Sequence, residues 1–190
     1  MAFYLYNGFH KKHEVMRCRK NNIKCCLILT LLLALLVPAQ AQSASIAKYQ
    51  ALFTMRFIKY VNWPSNTKEY TIGVVGANSY VLNQLTRQSK GRMVNGKPVK
   101  VSKIYSYSGL DKYNIIFIPS NQSYKFERIK RLVAGKPVLI VTENSSLASK
   151  GDGISFYTEN SKLKFRLNKS AFSKRKMTVS PRLLAVAKVL

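Results

Sequence analysis

Two short runs, Asn114 to Pro119 (NIIFIP) and Pro137 to Val141 (PVLIV), constrain this chain most, because nearly every residue in them is apolar. A strand with one solvated face alternates polar and apolar side chains. A run without polar positions needs cover on both faces, the condition of a central strand in a parallel sheet. Between the two, Tyr124 to Ala134 reads as a helix stopped by Gly135. Strand, helix and strand therefore form one crossover unit.

The flanking segments extend that pattern. Ile46 to Tyr60 places Tyr49, Leu52, Phe53, Phe57 and Tyr60 at helical spacing behind Ser45 as N-cap, and Val61-Asn62-Trp63-Pro64 ends the helix. Tyr70 to Val75 is a short apolar strand, followed by a turn and a helix over Tyr80 to Gln88. Between Gly91 and Tyr107 lies a strand-like insertion, with an Asn95-Gly96 turn and a half-exposed strand over Pro98 to Tyr105. After Gly151-Asp152-Gly153, ISFYT and KLKFRLN alternate around Glu159-Asn160-Ser161, which predicts a hairpin at the sheet edge. Helical pieces over Lys169 to Lys176 and over Ser180 to Val189, the second capped by Ser180 with Pro181 in its first turn, finish the chain. The expectation is an α/β single domain: a mostly parallel mixed β-sheet flanked by helices on both faces, with a C-terminal β-hairpin and a terminal helix.

The first 41 residues stand apart. Lys20 and Lys24 precede an apolar run from Cys25 to Val37, Pro38 reads as a helix breaker, and Ala39-Gln40-Ala41 has the small-x-small pattern of a signal cleavage site. The run is shorter than the roughly 20 residues of a spanning helix, which argues against a retained anchor. Residues 1–41 are thus expected to be a cleaved signal peptide, with Met16 as an alternative start, and 42–190 an exported domain beginning at Gln42. All three cysteines and both histidines fall in the leader. The exported domain then has no disulfide, thiolate metal site, histidine-dependent triad or imidazole-ligated zinc, and no cofactor is expected. It keeps 26 basic and 6 acidic side chains, a formal charge of +20. Such a field attracts polyanions, although an exported address argues against nucleic acid as partner.

Individual motifs carry little chemistry. Gly73-Val74-Val75-Gly76 lies between a strand and a helix but lacks phosphate-loop spacing, and Gly135-Lys136-Pro137 is more simply a helix stop. Glu143, Asp152 and Glu159 are close in sequence, yet their spacing over loops and a hairpin defines no carboxylate pair. Trp63 reads as a core plug. Tyr105 and Tyr107 share a predicted strand face with Lys103, a stacking pattern that ordinary strand packing also explains.

The order and wording of several segments resemble the YfiR family of bacterial periplasmic regulators. The carrying pieces are FIKYVNWP (57–64), YTIGVVG (70–76), VNGKPVKV (94–101), NIIFIPS (114–120), GKPVLIVTE (135–143), KGDGISFYTENSKLKFRLN (150–168) and SPRLLAVAKV (180–189). The resemblance implies a non-enzymatic periplasmic protein, usually a homodimer. Its relatives restrain the periplasmic sensor region of an inner-membrane diguanylate cyclase, and an outer-membrane peptidoglycan-associated lipoprotein relieves that restraint and raises cyclic-di-GMP. It further implies that Ile154 and Phe172 fall where a relative offers an apolar contact to the lipoprotein. Positions tied to a small aromatic ligand pocket in the family are Asn62, Thr178 and Ser180 here, so that pocket is not carried over. Cysteines that staple the loop before the Ile154 strand are replaced by Leu147 to Lys150 and Ser155. The alternative from another class is a periplasmic polyanion- or solute-binding module.

Overall fold

The computed structural model describes residues 38–64, 67–76 and 79–190, with side chains from residue 44 onward. Met16, Lys20, Lys24 and the apolar run to Val37, which carry the signal-peptide expectation, lie outside the described residues. Chain order is α1 (Pro38–Tyr60), β1 (Val61–Asn62), β2 (Tyr70–Val75), α2 (Tyr80–Ser89), β3 (Met93–Val94), β4 (Lys97–Ile104), β5 (Ile115–Ile118), α3 (Phe126–Leu132), β6 (Leu139–Thr142), β7 (Ile154–Glu159), β8 (Lys162–Leu167), α4 (Lys169–Lys174), β9 (Thr178–Val179), α5 (Pro181–Leu184) and β10 (Lys188–Val189). Short 3₁₀ turns cover Leu110–Lys112, Ser120–Lys125 and Ser145–Lys150.

Eight strands form one mixed sheet in the order β10-β8-β7-β6-β5-β2-β4-β3, and β1 pairs with β9 as a separate two-stranded ribbon. The pairs β2·β4, β2·β5, β5·β6, β6·β7 and β8·β10 are parallel; β3·β4 and β7·β8 are antiparallel. As the two apolar runs require, β5 and β6 are adjacent central strands with every residue buried. Successive residues point to opposite faces. Ile115, Phe117, Leu139 and Val141 join the core under α1 and α2, whereas Ile116, Ile118 and Ile140 join the one under α3 with Phe126, Ile129 and Val133.

Local chemistry explains the boundaries. Ser79 caps α2 by accepting the Leu82 N–H at 3.0 Å. Asn95 and Gly96, both at positive φ, make the tight turn joining β3 to β4. The insertion thereby becomes part of the main sheet. Gly73 is a strand residue whose missing side chain leaves room for Ile104 and Tyr113: a Cβ there would lie 2.6 Å from Ile104 Cδ1 and 2.9 Å from Tyr113 Cδ1. Close packing accounts for it, with no phosphate loop needed.

Several expectations are corrected. The first helix does not start behind Ser45: residues 38–45 are already helical. Ala39, Ala41 and Gln42 follow within it. Its buried stripe is Ala47, Ala51, Thr54, Met55 and Ile58, with Phe57, while Tyr49 is half exposed and Leu52, Phe53 and Tyr60 are partly buried. The two alanines let the helix lie close to the sheet. Phe53 then reaches sideways to Phe156 and Phe165 at centroid distances of 6.3 and 5.8 Å. The last predicted helix shrinks to the single turn of α5, where Ser180 still caps by accepting the Leu183 N–H at 3.4 Å. The chain then returns as β10 beside β8, so the β7–β8 hairpin does not form the outermost edge. Among the described residues no helix is long and apolar enough to cross a membrane.

Candidate functional site

The segment from Thr142 to Arg175 gathers both sequence-predicted partner residues and a polar cluster that the sequence did not single out. Ile154, the first residue of β7, is 0% exposed, and Phe172 in α4 is 1% exposed; both belong to the core on the α1 face. Neither side chain therefore presents an apolar surface to solvent. Alternation along β7 turns Ile154 and Phe156 inward, and the short α4 covers that core with Ala171 and Phe172. Gly153 sits so close to β6 that a Cβ would overlap Leu139 Cδ1 and lie 3.3 Å from the Ile140 carbonyl oxygen.

Next to this apolar packing lies a buried polar group. Asp152 is 0% exposed, and its Oδ2 accepts hydrogen bonds from Thr142 Oγ1 at 2.8 Å and from Ser155 Oγ, with both hydroxyls also fully buried. The two hydroxyl oxygens are 3.0 Å apart. Arg175 is 5% exposed, donates through Nη2 to the Gly151 carbonyl at 3.3 Å, and has no partner at Nη1; Asp152 Oδ1 is unpartnered too. Burial pushes the Asp152 carboxyl above its ordinary pKa, against the opposing pull of the Ser155 and Thr142 hydrogen bonds and the Arg175 charge. Burial likewise lowers the Arg175 pKa, opposed by Asp152. On the outer side of Arg175 is a cavity of about 360 Å³ whose lining includes Lys130, Arg131, Lys150, Gly151, Lys174 and Arg175.

The other sequence candidates are dispersed. Glu143 is half-buried at the end of β6, where its Oε2 accepts the Ser120 N–H at 2.8 Å and burial raises its pKa. Glu159 is exposed and paired with Lys164 across the hairpin. With Asp152 enclosed by its own hydroxyls, the three carboxylates have three separate structural partners. Trp63 is half-buried, packs on the core and meets Tyr70 at a centroid distance of 5.9 Å. Tyr105 is 83% exposed, and Tyr107 lies under the Arg128 guanidinium at 4.6 Å. Both follow the end of β4 at Ile104, so the predicted shared strand face with Lys103 does not exist.

Asn62, Thr178 and Ser180 do come together. Asn62 Nδ2 donates to Thr178 Oγ1 at 3.3 Å in the β1–β9 ribbon, and the Ser180 N–H donates to the Tyr60 carbonyl at 2.9 Å. Thr142, Ser155 and Arg175 were missed as a group. A threonine ending an apolar strand, a serine within one and an arginine in a basic stretch give no sequence signal that they will meet. Among the described residues no group of three or more His, Cys, Asp or Glu is placed to hold a metal.

The YfiR/HmsC-like family profile matches residues 47–188. No curated protein matches the chain. Solved structures share its fold at low identity. One is a conserved domain protein from Vibrio cholerae, 13% identical with a TM-score of 0.50, the match covering 73% of this chain and 59% of that one. Another is the ABC domain of Streptococcus pneumoniae in complex with L-Trp, also 13% identical, with a TM-score of 0.53 and coverage of 75% and 59%. This chain thus spans about three-fifths of each of those structures, and at that identity the likeness speaks for the fold alone.

Proposed function

The chain belongs to the YfiR/HmsC-like family, a family of periplasmic regulators of cyclic-di-GMP signalling, and from that premise we propose that it restrains a membrane diguanylate cyclase by binding that enzyme's periplasmic sensor region. The observation that carries this reading is the family match, which runs from α1 to β10 and so takes in both faces of the sheet and the C-terminal hairpin. It supports regulation through binding in preference to catalysis. Export follows in the same reading: signal cleavage after Ala41 yields a protein starting at Gln42, which N-terminal sequencing of the periplasmic product tests directly. A homodimer, and relief of restraint by an outer-membrane lipoprotein, complete the proposal.

The burial of Ile154 and Phe172 changes how they contribute. They shape a contact surface from beneath, and a partner meets the exposed side of α4, where Ser173 stands on the same short helix as the inward-facing Phe172. Deletion of the gene should raise cellular cyclic-di-GMP, and the intact protein should restore it. Ser173→Tyr should fail to restore it while circular dichroism stays unchanged. Unchanged cyclic-di-GMP on deletion would overturn the cyclase reading.

A further inference from the structure

The cavity beside Arg175 combines three features that a generally basic surface does not need. Its volume, about 360 Å³, falls in the range that accommodates small organic ligands. Five cationic residues line it, Lys130, Arg131, Lys150, Lys174 and Arg175, and no acidic residue does among those described. Lys130 is occupied, 3.1 Å from Glu127 and donating to the Lys150 carbonyl at 2.7 Å. Arg131, Lys150 and Lys174 form no ion pair among the described residues. Behind them Arg175 is more than nine-tenths buried and keeps Nη1 unpartnered. A buried, unpaired donor of a charged group is costly, and neighbouring like charges repel. An anion in the cavity relieves the repulsion among the cations that line it.

We propose that this cavity binds a small soluble ligand carrying a phosphoryl group. A carboxylate brings one negative charge, whereas a phosphate monoester brings nearly two together with three strong acceptor oxygens, which better matches several unneutralised cations. Guanidinium groups recognise phosphate through paired N–H donors and lysines through point charge. The cavity exceeds what a bare phosphate fills, so an organic portion occupies the remainder against Ala134, Gly135 and Ala171. A phosphorylated lipid headgroup offers the same chemistry, and competition separates the two sources.

The test is isothermal titration of the exported protein with inorganic phosphate and pyrophosphate at constant ionic strength. Saturable binding at one site, tighter for pyrophosphate, is expected. Lys150→Gln combined with Lys174→Gln, both exposed side chains, should weaken pyrophosphate binding by about tenfold or more, the scale of a lost charge-assisted hydrogen bond. Lys48→Gln with Arg56→Gln removes the same charge from the exposed face of α1, which packs on the opposite side of the sheet from α3, and should leave the affinity unchanged. Glycerol phosphate should displace pyrophosphate, and phosphatidylglycerol vesicles should not. Equal loss in both double variants, or no saturation, would mean an adventitious ion only and overturn the proposal; displacement by the vesicles alone would overturn the soluble ligand. Ser173→Tyr should keep full pyrophosphate binding, so failure of the cyclase reading and failure of this site are distinguishable.

Discussion

The centre of the sheet and the end of it beside α4 are equally buried but held by different physics. In β5 and β6, apart from Thr142, every side chain is apolar, and their burial draws on the transfer of hydrocarbon from water with no titrating group involved. At the junction of β6 and β7 a carboxyl, two hydroxyls and a guanidinium are sealed in the interior, and their position depends on hydrogen bonds and charge. Ile154 and Phe172 lie where the two regimes meet. The apolar centre should therefore respond to volume and ignore pH, and the polar junction should do the reverse.

The largest expected effect comes from carrying the wrong physics into the boundary. Ile154→Asp places an unpaired carboxyl in the apolar core and should abolish the cooperative unfolding transition seen by circular dichroism. A folded Ile154→Asp protein would break the comparison, because it would mean the residue reaches solvent. Next is Phe172→Ala, which should cost about 3–5 kcal/mol in urea denaturation through lost burial and the cavity left behind.

Asp152→Ala is expected to cost about 1–3 kcal/mol, since Thr142 and Ser155 lose their shared acceptor, Arg175 loses a nearby opposite charge, and all three stay buried. The pH response sharpens the contrast. Burial raises the Asp152 pKa above its unfolded value, so between those two values the folded state holds more protons than the unfolded state. Stability must then fall as pH rises through that window. Half-buried Glu143 is raised as well and adds in the same direction, whereas exposed Asp111 and Glu159, lowered by Lys136 and Lys164, act in the opposite one. Asp152→Asn should remove only its own share, flattening the decline when melting temperature is followed across the acidic range. A profile identical to the parent would show that Asp152 does not titrate as its burial demands. The smallest effect is expected on the surface: Glu69→Gln, which breaks a 2.6 Å ion pair with largely exposed Lys100, should change stability by less than about 1 kcal/mol and weaken with added salt.

Much of this fold was legible because its signals are local. The unbroken apolar runs of β5 and β6, the Asn95-Gly96 turn, the alternation of the β7–β8 hairpin and the Ser180 cap each record a constraint that a few adjacent residues settle among themselves. The α1 face was misjudged because aromatic spacing marks hydrophobic residues without saying which stripe is narrow enough to approach a sheet; Ala47 and Ala51 do that by being small. The C-terminal segment reads as helix by composition, yet only a free partner along β8 makes a strand of Lys188 and Val189.

The candidate site divides in the same way. Sequence wording pointed to the neighbourhood of Ile154 and Phe172, but whether those side chains face a partner or the core depends on how β7 and α4 pack, and the packing turns both inward. Thr142, Asp152, Ser155 and Arg175 are spread over more than thirty positions, and the basic cavity draws its cations from three separate stretches of chain. By itself the sequence determined the strand and turn chemistry, the concentration of cysteine and histidine in the first 41 residues and the strong positive charge, because these belong to residues or their near neighbours. Which charges converge, and which polar groups are sealed from water, only the tertiary structure decided, because convergence is a property of distance in space and burial a property of everything packed around a residue.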